Sequence, residues 1–287
     1  MNDAPGPVSP TSTQTIAGLY TETFRPAGTP HGVVVISHGY AEHCGRYHEV
    51  AHAIVRAGWA ALSYDVRGHG KSPGPRGYID RFSTYLADFA AIQAAARELF
   101  GTTAPMVLLG HSHGSLITLR ALVDERPPQV TAAILSSPFL ALRLEIPRYQ
   151  LLLGRVASRL APKLSQPNAL RVEDLTSDKQ KQAERLADKL CFDVATARWF
   201  TEAVAAQDYV LANAGRIQLP TTWLVGGDDP IADPARSKMV AAKVAGASYH
   251  EFAGMKHEVL NETDRAKVFS EFTAALVRAK GTGAAGD

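Results

Sequence analysis

The pentapeptide Gly110–Gly114 (GHSHG) places a serine where it can act as a nucleophile. A serine hydroxyl attacks an acyl carbonyl once a base takes its proton. The pentapeptide follows the apolar run Pro105–Leu109 and precedes Ser115–Leu122, whose pattern predicts a helix. A sharp turn from strand to helix holds such a serine at its apex, and the two flanking glycines leave room for the turn. The spacing predicts Ser112 as a nucleophile, and the alternative is an ordinary serine in a glycine-rich turn.

A nucleophilic serine needs a base, and the base needs an acid that fixes its tautomer. After a strand-turn-helix serine, these groups follow in the order serine, acid, histidine. Asp229 comes just after the apolar strand predicted at Thr222–Val225, and Pro230 favours an extended loop backbone there. We predict Asp229 as the acid, with Asp228 as its competitor. The alternative is a solvated turn that carries two acids.

Ten histidines compete for the role of base. His257 lies in a loop between the last predicted strand, Ser248–Phe252, and the last predicted helix, Asp264–Ala279. This is the place that the order requires, so we predict His257 as the base. The histidines on either side of the serine lack a clear set of carboxylate or cysteine partners, so no metal site is expected.

The oxyanion that forms when a serine attacks needs two hydrogen-bond donors. The first is predicted to be the backbone N–H of His113, because this residue follows the nucleophile. The second is expected in the loop after the apolar strand predicted at Val33–Ser37, and we choose the N–H of Tyr40. Both donors belong to the backbone, so side-chain substitution tests them poorly.

The elements that must position these groups alternate along most of the chain. Short apolar runs separated by amphipathic stretches predict an α/β fold with a mostly parallel central sheet flanked by helices. Gly18–Phe24 alternates like an antiparallel edge strand. The remaining predicted core strands are Ala60–Tyr64, Met106–Leu109 and Ala132–Ser136, and the remaining predicted core helices are Tyr47–Ala57, Phe82–Leu99 and Ala235–Val244.

Residues 141–215 interrupt this alternation, because no convincing core strand occurs there. A segment this long is too long for a plain connection. After a core strand it indicates a helical cap over the carboxyl edge of the sheet, where ligands bind; the alternative is a packing appendage. Its helical patterns are Arg143–Ala161, Thr176–Leu190 and Ala195–Asn213. The predicted organisation is a disordered leader at 1–15, a core at 16–140 and 216–280, and the cap at 141–215.

Composition sets limits on the class of protein. The chain has 287 residues, of which 46% are hydrophobic and 20% charged, with a formal charge of +2. These values are typical of a globular protein, and no charge field favours nucleic acid. The two cysteines, Cys44 and Cys191, imply no disulfide framework, although a pairing between them stays open. The first residues lack a secretory pattern and no apolar run is long enough to span a bilayer, so a cytoplasmic location is expected.

Three further segments resemble the monoacylglycerol lipase and lysophospholipase group of α/β hydrolases. Residues 38–47 (HGYAEHCGRY) resemble its H-G-x-x-E-H-x-x-R-Y motif, and residues 65–72 (DVRGHGKS) resemble its D-x-R-G-H-G-x-S turn. Residues 256–262 (KHEVLNE) are similar to its catalytic-histidine stretch. The resemblance extends over about 18–279 and is weakest in the cap.

This resemblance implies the α/β-hydrolase fold and a serine carboxylester hydrolase that needs no cofactor. It assigns Ser112, Asp229 and His257 to the catalytic triad, and the amides of Tyr40 and His113 to the oxyanion hole. The sequence departs from the group at two positions. It has His113 where Met is common and Ser115 where Gly is common. A polar ring next to the serine is expected to narrow the pocket or to alter the preference for acyl chain length.

Glu42 and Arg46 are expected near the pocket for the leaving alcohol, because a carboxylate and a guanidinium can hydrogen-bond glycerol hydroxyls. The equal alternative is a mutual ion pair that holds the loop. The expected reaction is hydrolysis of a monoacylglycerol. A lysophospholipase, a short-chain carboxylesterase, a thioesterase and a serine aminopeptidase are the enzymatic alternatives, and a silent ligand-binding relative is the non-enzymatic one. Contact of the cap with a membrane surface, through the apolar stretch 151–160, stays open, as does the oligomeric state.

Overall fold

The computed structural model describes residues 9–125, 129–143, 148–168 and 170–282, and ten strands lie within them. The strands of the main sheet are β1 (Ser12–Ile16), β2 (Leu19–Phe24), β3 (Val33–Ser37), β4 (Ala60–Tyr64), β5 (Met106–His111), β6 (Val130–Ser136), β9 (Thr221–Gly226) and β10 (Ala247–Phe252). Two short strands, β7 (Ser165–Pro167) and β8 (Val194–Thr196), form a separate antiparallel pair.

Nine α-helices lie in the same described residues. They are α1 (His48–Arg56), α2 (Phe82–Phe100), α3 (His113–Asp124), α4 (Arg148–Leu160), α5 (Val172–Leu175), α6 (Lys179–Ala187), α7 (Ala197–Asn213), α8 (Pro234–Ala241) and α9 (Ala266–Thr282). One hydrophobic cluster joins α2, α3, α7 and α8 to one face of the main sheet, and a second joins α1 and α9 to the other face.

The main sheet has the strand order β1-β2-β4-β3-β5-β6-β9-β10. All pairs from β4 to β10 are parallel, and β3, β4 and β5 are buried along their whole length. Strands covered on both faces are mostly apolar along their length, which is why their runs are recognisable in the sequence. The predicted α/β fold with a mostly parallel sheet is confirmed, and the carboxyl ends of its parallel strands share one edge.

The amino-terminal part of the sheet differs from the prediction. Residues 1–8 of the predicted leader lie outside the described residues, but the disordered assignment is wrong for residues 12–15, which belong to β1. Positive φ angles at Ala17 and Gly18 make the tight turn that pairs β1 with β2 in antiparallel register. The strand predicted at the edge therefore lies between β1 and β4.

Helices α4 to α7 all lie between β6 and β9, in the segment predicted as a cap. The strands β7 and β8 and the single-turn helix α5 were not predicted, because elements of three or four residues carry no periodic signal. Residues 144–147 of the predicted helix Arg143–Ala161 lie outside the described residues. Because α7 buries Trp199, Ala203 and Val210 against the core, part of this segment is packed as tightly as the core itself. Its division from the core stays a prediction.

Candidate active site

Ser112 lies at the apex of a strained turn between β5 and α3. Its backbone has φ 50° and ψ −113°, in the left-handed half of conformational space that side chains avoid. Its N–H donates to the carbonyl of Ser136, and its own carbonyl accepts from Leu116 and Phe139. These three bonds hold a conformation that costs about 1–3 kcal/mol. The strain raises the serine side chain out of the sheet, and its hydroxyl reaches a cavity.

The glycines of the pentapeptide are required by close packing. A Cβ at Gly110 would lie 2.6 Å from the backbone of Ser115, and one at Gly114 would collide with the carbonyl of Ser37 at the end of β3. Ser115 donates its hydroxyl to the carbonyl of Gly110 at 2.7 Å. The residue that departs from the group's usual glycine therefore closes the turn.

The structure brings Ser112, His257 and Asp229 into one hydrogen-bonded line. His257 Nε2 lies 2.8 Å from Ser112 Oγ, and His257 Nδ1 lies 2.7 Å from Asp229 Oδ2. The other oxygen of Asp229 accepts the N–H groups of Ile231 and Ala232, which fix the carboxylate. All three side chains are buried. The competing acid, Asp228, is exposed and takes no part in this line.

The line also sets the electrostatics of the histidine. Burial alone would lower the pKa of His257, but the charge and hydrogen bond of Asp229 outweigh it and raise the pKa above its ordinary value. The neighbouring ring of His111, 5.0 Å away, responds in the opposite way, since burial and His257 lower its pKa to about 4. His111 is therefore neutral near pH 7, and Ser112 faces a single basic imidazole.

The two predicted oxyanion donors, the N–H groups of Tyr40 and His113, take part in no backbone hydrogen bond of the described loops and turns. His38, which sequence reasoning left without a role, controls the first. Its Nδ1 donates to the carbonyl of Gly39 at 2.7 Å, and its Nε2 accepts from the N–H of Val66 at 2.9 Å. Because a trans peptide points its N–H opposite to its carbonyl, the Tyr40 N–H is turned away from His38.

Glu42 and Arg46 hold the same loop. Glu42 Oε1 accepts from the N–H of Gly39 at 2.6 Å and from the hydroxyl of Tyr47 at 2.7 Å, and its Oε2 accepts from Arg46 at 2.8 Å. Burial works to raise the pKa of Glu42, but Arg46 lowers it well below its ordinary value, so the carboxylate stays charged. The ion pair that holds the loop is present in the structure. A direct contact of these residues with the alcohol stays a prediction.

A cavity of about 600 Å³ has Ser112 and His257 in its wall. One part of the wall is polar and includes Glu42, His111, Arg185 and Glu258. The rest is mostly apolar and includes Leu153, Leu170, Leu175, Trp199, Phe200 and Ile231. Helices α4, α5, α6 and α7 all contribute to the wall, so the segment between β6 and β9 shapes the cavity in which the serine lies.

Sequence reasoning missed two charged residues of this wall. The position of Glu258 directly after His257 indicates that it lies near the site. Its pairing with Arg46 could not be predicted, because the two residues are 212 positions apart in the sequence. Arg185 lies in the predicted cap, where the resemblance is weakest, and no sequence pattern indicates its place in the wall. The ring of His113, expected next to the serine, lies instead behind the wall among Tyr40, Tyr85 and Trp199, where burial lowers its pKa to about 3.

His43, Asp188 and Cys191 also lie close enough to share a metal ion. His43 Nδ1 accepts from the N–H of Gly45, so Nε2 carries the proton and donates it to Asp188 at 2.6 Å. Burial raises the pKa of Cys191 to about 11, which keeps it a thiol, and Arg185 lies 3.8 Å from its sulfur. These donors fit a structural contact between the core and α6 better than a metal site. Cys191 and Cys44 are both free.

Comparisons with known proteins find similar chains. Residues 28–264 match the family described as serine aminopeptidase, S33. A monoacylglycerol lipase of Mycolicibacterium smegmatis is 29% identical over 259 residues, which cover 89% of this chain and 91% of the relative. A phospholipase of Bacillus subtilis is 28% identical over 246 residues, covering 85% and 94%. The crystal structure of a monoacylglycerol lipase from Paleococcus ferrophilus is similar with a TM-score of 0.80 and 29% identity, covering 93% of this chain and 99% of that one.

Proposed function

The chain belongs to the serine aminopeptidase S33 family and is a serine hydrolase of the α/β-hydrolase fold, and we propose that it cleaves monoacylglycerols into fatty acid and glycerol. The observation that carries the proposal is the line from Ser112 Oγ through His257 to Asp229, with bonds of 2.8 and 2.7 Å. In this proposal these three residues are the catalytic triad, and the N–H groups of Tyr40 and His113 form the oxyanion hole.

The reaction follows from the protonation state of this line. His257 Nε2 takes the proton of Ser112 as its oxygen bonds to the ester carbonyl carbon, and the oxyanion accepts from the two N–H groups. Asp229 stabilises the imidazolium through Nδ1. The tetrahedral intermediate breaks its bond to the glycerol oxygen, which leaves with the proton from His257. Water then gives a proton to His257 and attacks the acyl-enzyme, and the fatty acid leaves as Ser112 regains its proton.

The cavity supports an ester with a long apolar acyl group and a polar, uncharged alcohol. Its apolar wall suits a hydrocarbon chain, whose burial contributes about 0.8 kcal/mol per methylene. Two guanidinium groups compensate the carboxylates Glu42 and Glu258 of its polar wall, since Arg46 bonds both of them and Arg185 lies beside Glu258. Such a wall offers donors and acceptors without a net charge, which suits a glycerol group.

A lysophospholipase is the second candidate, because the Bacillus subtilis phospholipase is 28% identical over most of both chains. A short-chain carboxylesterase is a weaker candidate, because a short acyl group would contact little of the apolar wall of the cavity. The intact triad argues against a catalytically silent binding relative. The predicted cytoplasmic location stays a prediction.

We also propose a transient contact of α4 with a lipid surface. Five apolar side chains lie on one exposed face of this helix, at the spacing of an interfacial helix: Tyr149, Leu152, Leu153, Val156 and Leu160. Leu153 also belongs to the cavity wall, so this face adjoins the route for an acyl chain. In the part of the chain that the structure describes, no helix is long and apolar enough to cross a bilayer.

A hydrolysis panel tests the proposed reaction. The purified protein is given monoacylglycerols of graded chain length, the matching lysophospholipids and simple ethyl esters. We expect the highest kcat/KM for a monoacylglycerol, and Ser112→Ala should abolish hydrolysis and labelling by a fluorophosphonate while the fold is retained. A preference for lysophospholipids would replace the proposed substrate, and substantial activity of Ser112→Ala would overturn the triad.

Binding to phosphatidylcholine vesicles tests the surface contact. Leu152→Gln combined with Leu160→Gln should reduce the bound fraction, because it removes apolar area from the α4 face. Val277→Gln on α9 is the matched control, since that side chain is also exposed but lies on another helix. Equal binding of all three proteins would contradict a contact through α4.

A further inference from the structure

Arg185 is a buried cation with few partners. Its side chain, on α6, is only 8% exposed and belongs to the cavity wall. Among the described residues, its Nη2 donates to the carbonyl of Ala41 at 3.3 Å and its Nη1 donates to the sulfur of Cys191 at 3.8 Å. A guanidinium has five N–H donors, and leaving them unpaired in a buried place is costly. Because Arg185 belongs to the cavity wall, its remaining donors are available to a group that enters the cavity.

Glu258 is the carboxylate beside the Arg185 guanidinium. It follows His257 directly, and both of its oxygens accept from Arg46, at 2.9 and 2.8 Å. Burial works to raise the pKa of Glu258, but Arg46 lowers it below its ordinary value, so the group is a carboxylate near pH 7. Its Oε1 lies 3.9 Å from Arg185 Nη1, which is too long for a hydrogen bond. The two groups form an ion pair without a hydrogen bond, and both face the same cavity.

This donor and this acceptor together match a hydroxyl group that lies beside both of them. A hydroxyl accepts from the guanidinium and donates to the carboxylate at the same time. A phosphate accepts from Arg185 but has no proton for Glu258, and it would meet the negative charges of both Glu258 and Glu42. We propose that Arg185 and Glu258 bind a free hydroxyl of the substrate's alcohol and thereby select neutral polyol esters over esters with an anionic headgroup.

This inference rests on the proposed ester hydrolysis at Ser112, because Glu258 adjoins the histidine that protonates the leaving alcohol. To the proposed triad it adds two residues that select the alcohol, Glu258 and Arg185 of α6. Arg185 also supports the loop, since it bonds the carbonyl of Ala41, a residue with φ 62° next to Tyr40. The two roles have different consequences. Loop support affects every ester, whereas hydroxyl binding affects only esters whose alcohol keeps a free hydroxyl.

The experiment compares two esters of one fatty acid, its monoacylglycerol and its ethyl ester. In Arg185→Gln we expect kcat/KM for the monoacylglycerol to fall about 10- to 100-fold, the loss of one charge-assisted hydrogen bond. The value for the ethyl ester should fall much less, by the part that loop support contributes. Arg185→Lys keeps a donor and should lose less. Arg171→Gln, at an exposed arginine before α5, is the matched control and should behave like the wild type.

A second readout needs no acylglycerol turnover. Glycerol should inhibit hydrolysis of a p-nitrophenyl ester competitively, more strongly than glycerol 3-phosphate does, and Arg185→Gln or Arg185→Lys should weaken inhibition by glycerol. Equal losses on both fatty acid esters, or unchanged inhibition, would reduce Arg185 to loop support and overturn the inference. A larger loss on a lysophosphatidic acid than on the monoacylglycerol would show an anion site instead. Failure of the wild type on monoacylglycerols with retained ethyl ester hydrolysis would refute only the proposed substrate, since glycerol inhibition still tests the pair.

Discussion

His38 Nδ1 donates a 2.7 Å hydrogen bond to the carbonyl oxygen of Gly39, and this bond orients the peptide that carries the Tyr40 N–H. The loop is held from its other side by Glu42, which accepts from the N–H of Gly39. Both peptide groups around Gly39 are thus fixed before any substrate arrives. An oxyanion hole stabilises charge best when its donors need no reorganisation during the reaction.

His38→Phe should therefore lower kcat with little change in KM. The substitution frees the Gly39 carbonyl, so the Tyr40 N–H can turn away, and the loss should approach the roughly 100-fold typical of removing one oxyanion donor. Steady-state kinetics on a p-nitrophenyl ester measure it. His69→Phe is the control, because His69 is equally buried and contacts the His38 ring but leaves the Gly39 peptide untouched. Similar losses of kcat in the two variants would point to general disruption.

The pH dependence of kcat/KM should report His257. Its pKa is raised above the ordinary 6.5 by Asp229, and its protonated form has no lone pair to accept the Ser112 proton. Activity should fall as the pH decreases through this raised pKa. Asp229→Asn removes the charge that opposes burial, so the acid limb should move to lower pH while kcat falls about 1,000-fold or more. An acid limb that stays in place in Asp229→Asn would show that another group controls it.

Acid should weaken the fold through Glu42. Arg46 holds the pKa of this buried carboxyl below its unfolded value of 4.5, so its stabilisation is complete above that value and is lost as the pH falls further. Glu42→Gln leaves Arg46 short of a partner and should reduce the free energy of unfolding at pH 7 by about 3 kcal/mol. Urea titrations at several pH values measure this difference, which should shrink below pH 4.5.

The exposed pair between Glu184 and Lys181 offers a control for that experiment, because Glu184 is 51% exposed. Glu184→Gln should change the free energy of unfolding by less than about 1 kcal/mol at any pH. A Glu42→Gln protein as stable as the wild type across the pH range would show that the buried network does not depend on its charge.

Much of this architecture was predictable because buried strands are runs of mostly apolar residues, which can be recognised in the sequence. The run predicted at Ala60–Tyr64 coincides with β4, because a strand covered on both faces is mostly apolar along its length. The exposed strand β1 carries no such constraint, and it was predicted as disordered. Its pairing depends on a turn and on the neighbouring strand, neither of which its own residues report.

In the candidate site, too, some residues could be predicted from the sequence and others could not. The groups of the proposed triad were predictable from the order of serine, acid and histidine at strand ends, which chain topology imposes. Arg185 was not, because its position in the cavity depends on how α6 packs over the sheet, and nothing in the spacing of a helical arginine distinguishes a buried one from a solvated one. His38 belongs to a recognisable motif, but its effect on the Tyr40 N–H depends on the direction in which its ring points, and the sequence does not give that direction.

The strain at Ser112 should be measurable as a difference between two inactive variants. Alanine keeps the unfavourable φ of 50°, whereas glycine adopts it without a steric penalty, and both lack the nucleophilic oxygen. Ser112→Gly should therefore be more stable than Ser112→Ala by about 1 kcal/mol, even though glycine gains more entropy on unfolding. Urea unfolding of both variants measures the difference. An alanine variant as stable as the glycine variant would mean that the turn at the nucleophile is relaxed, and that its geometry comes from the glycine contacts with Ser115 and Ser37 alone.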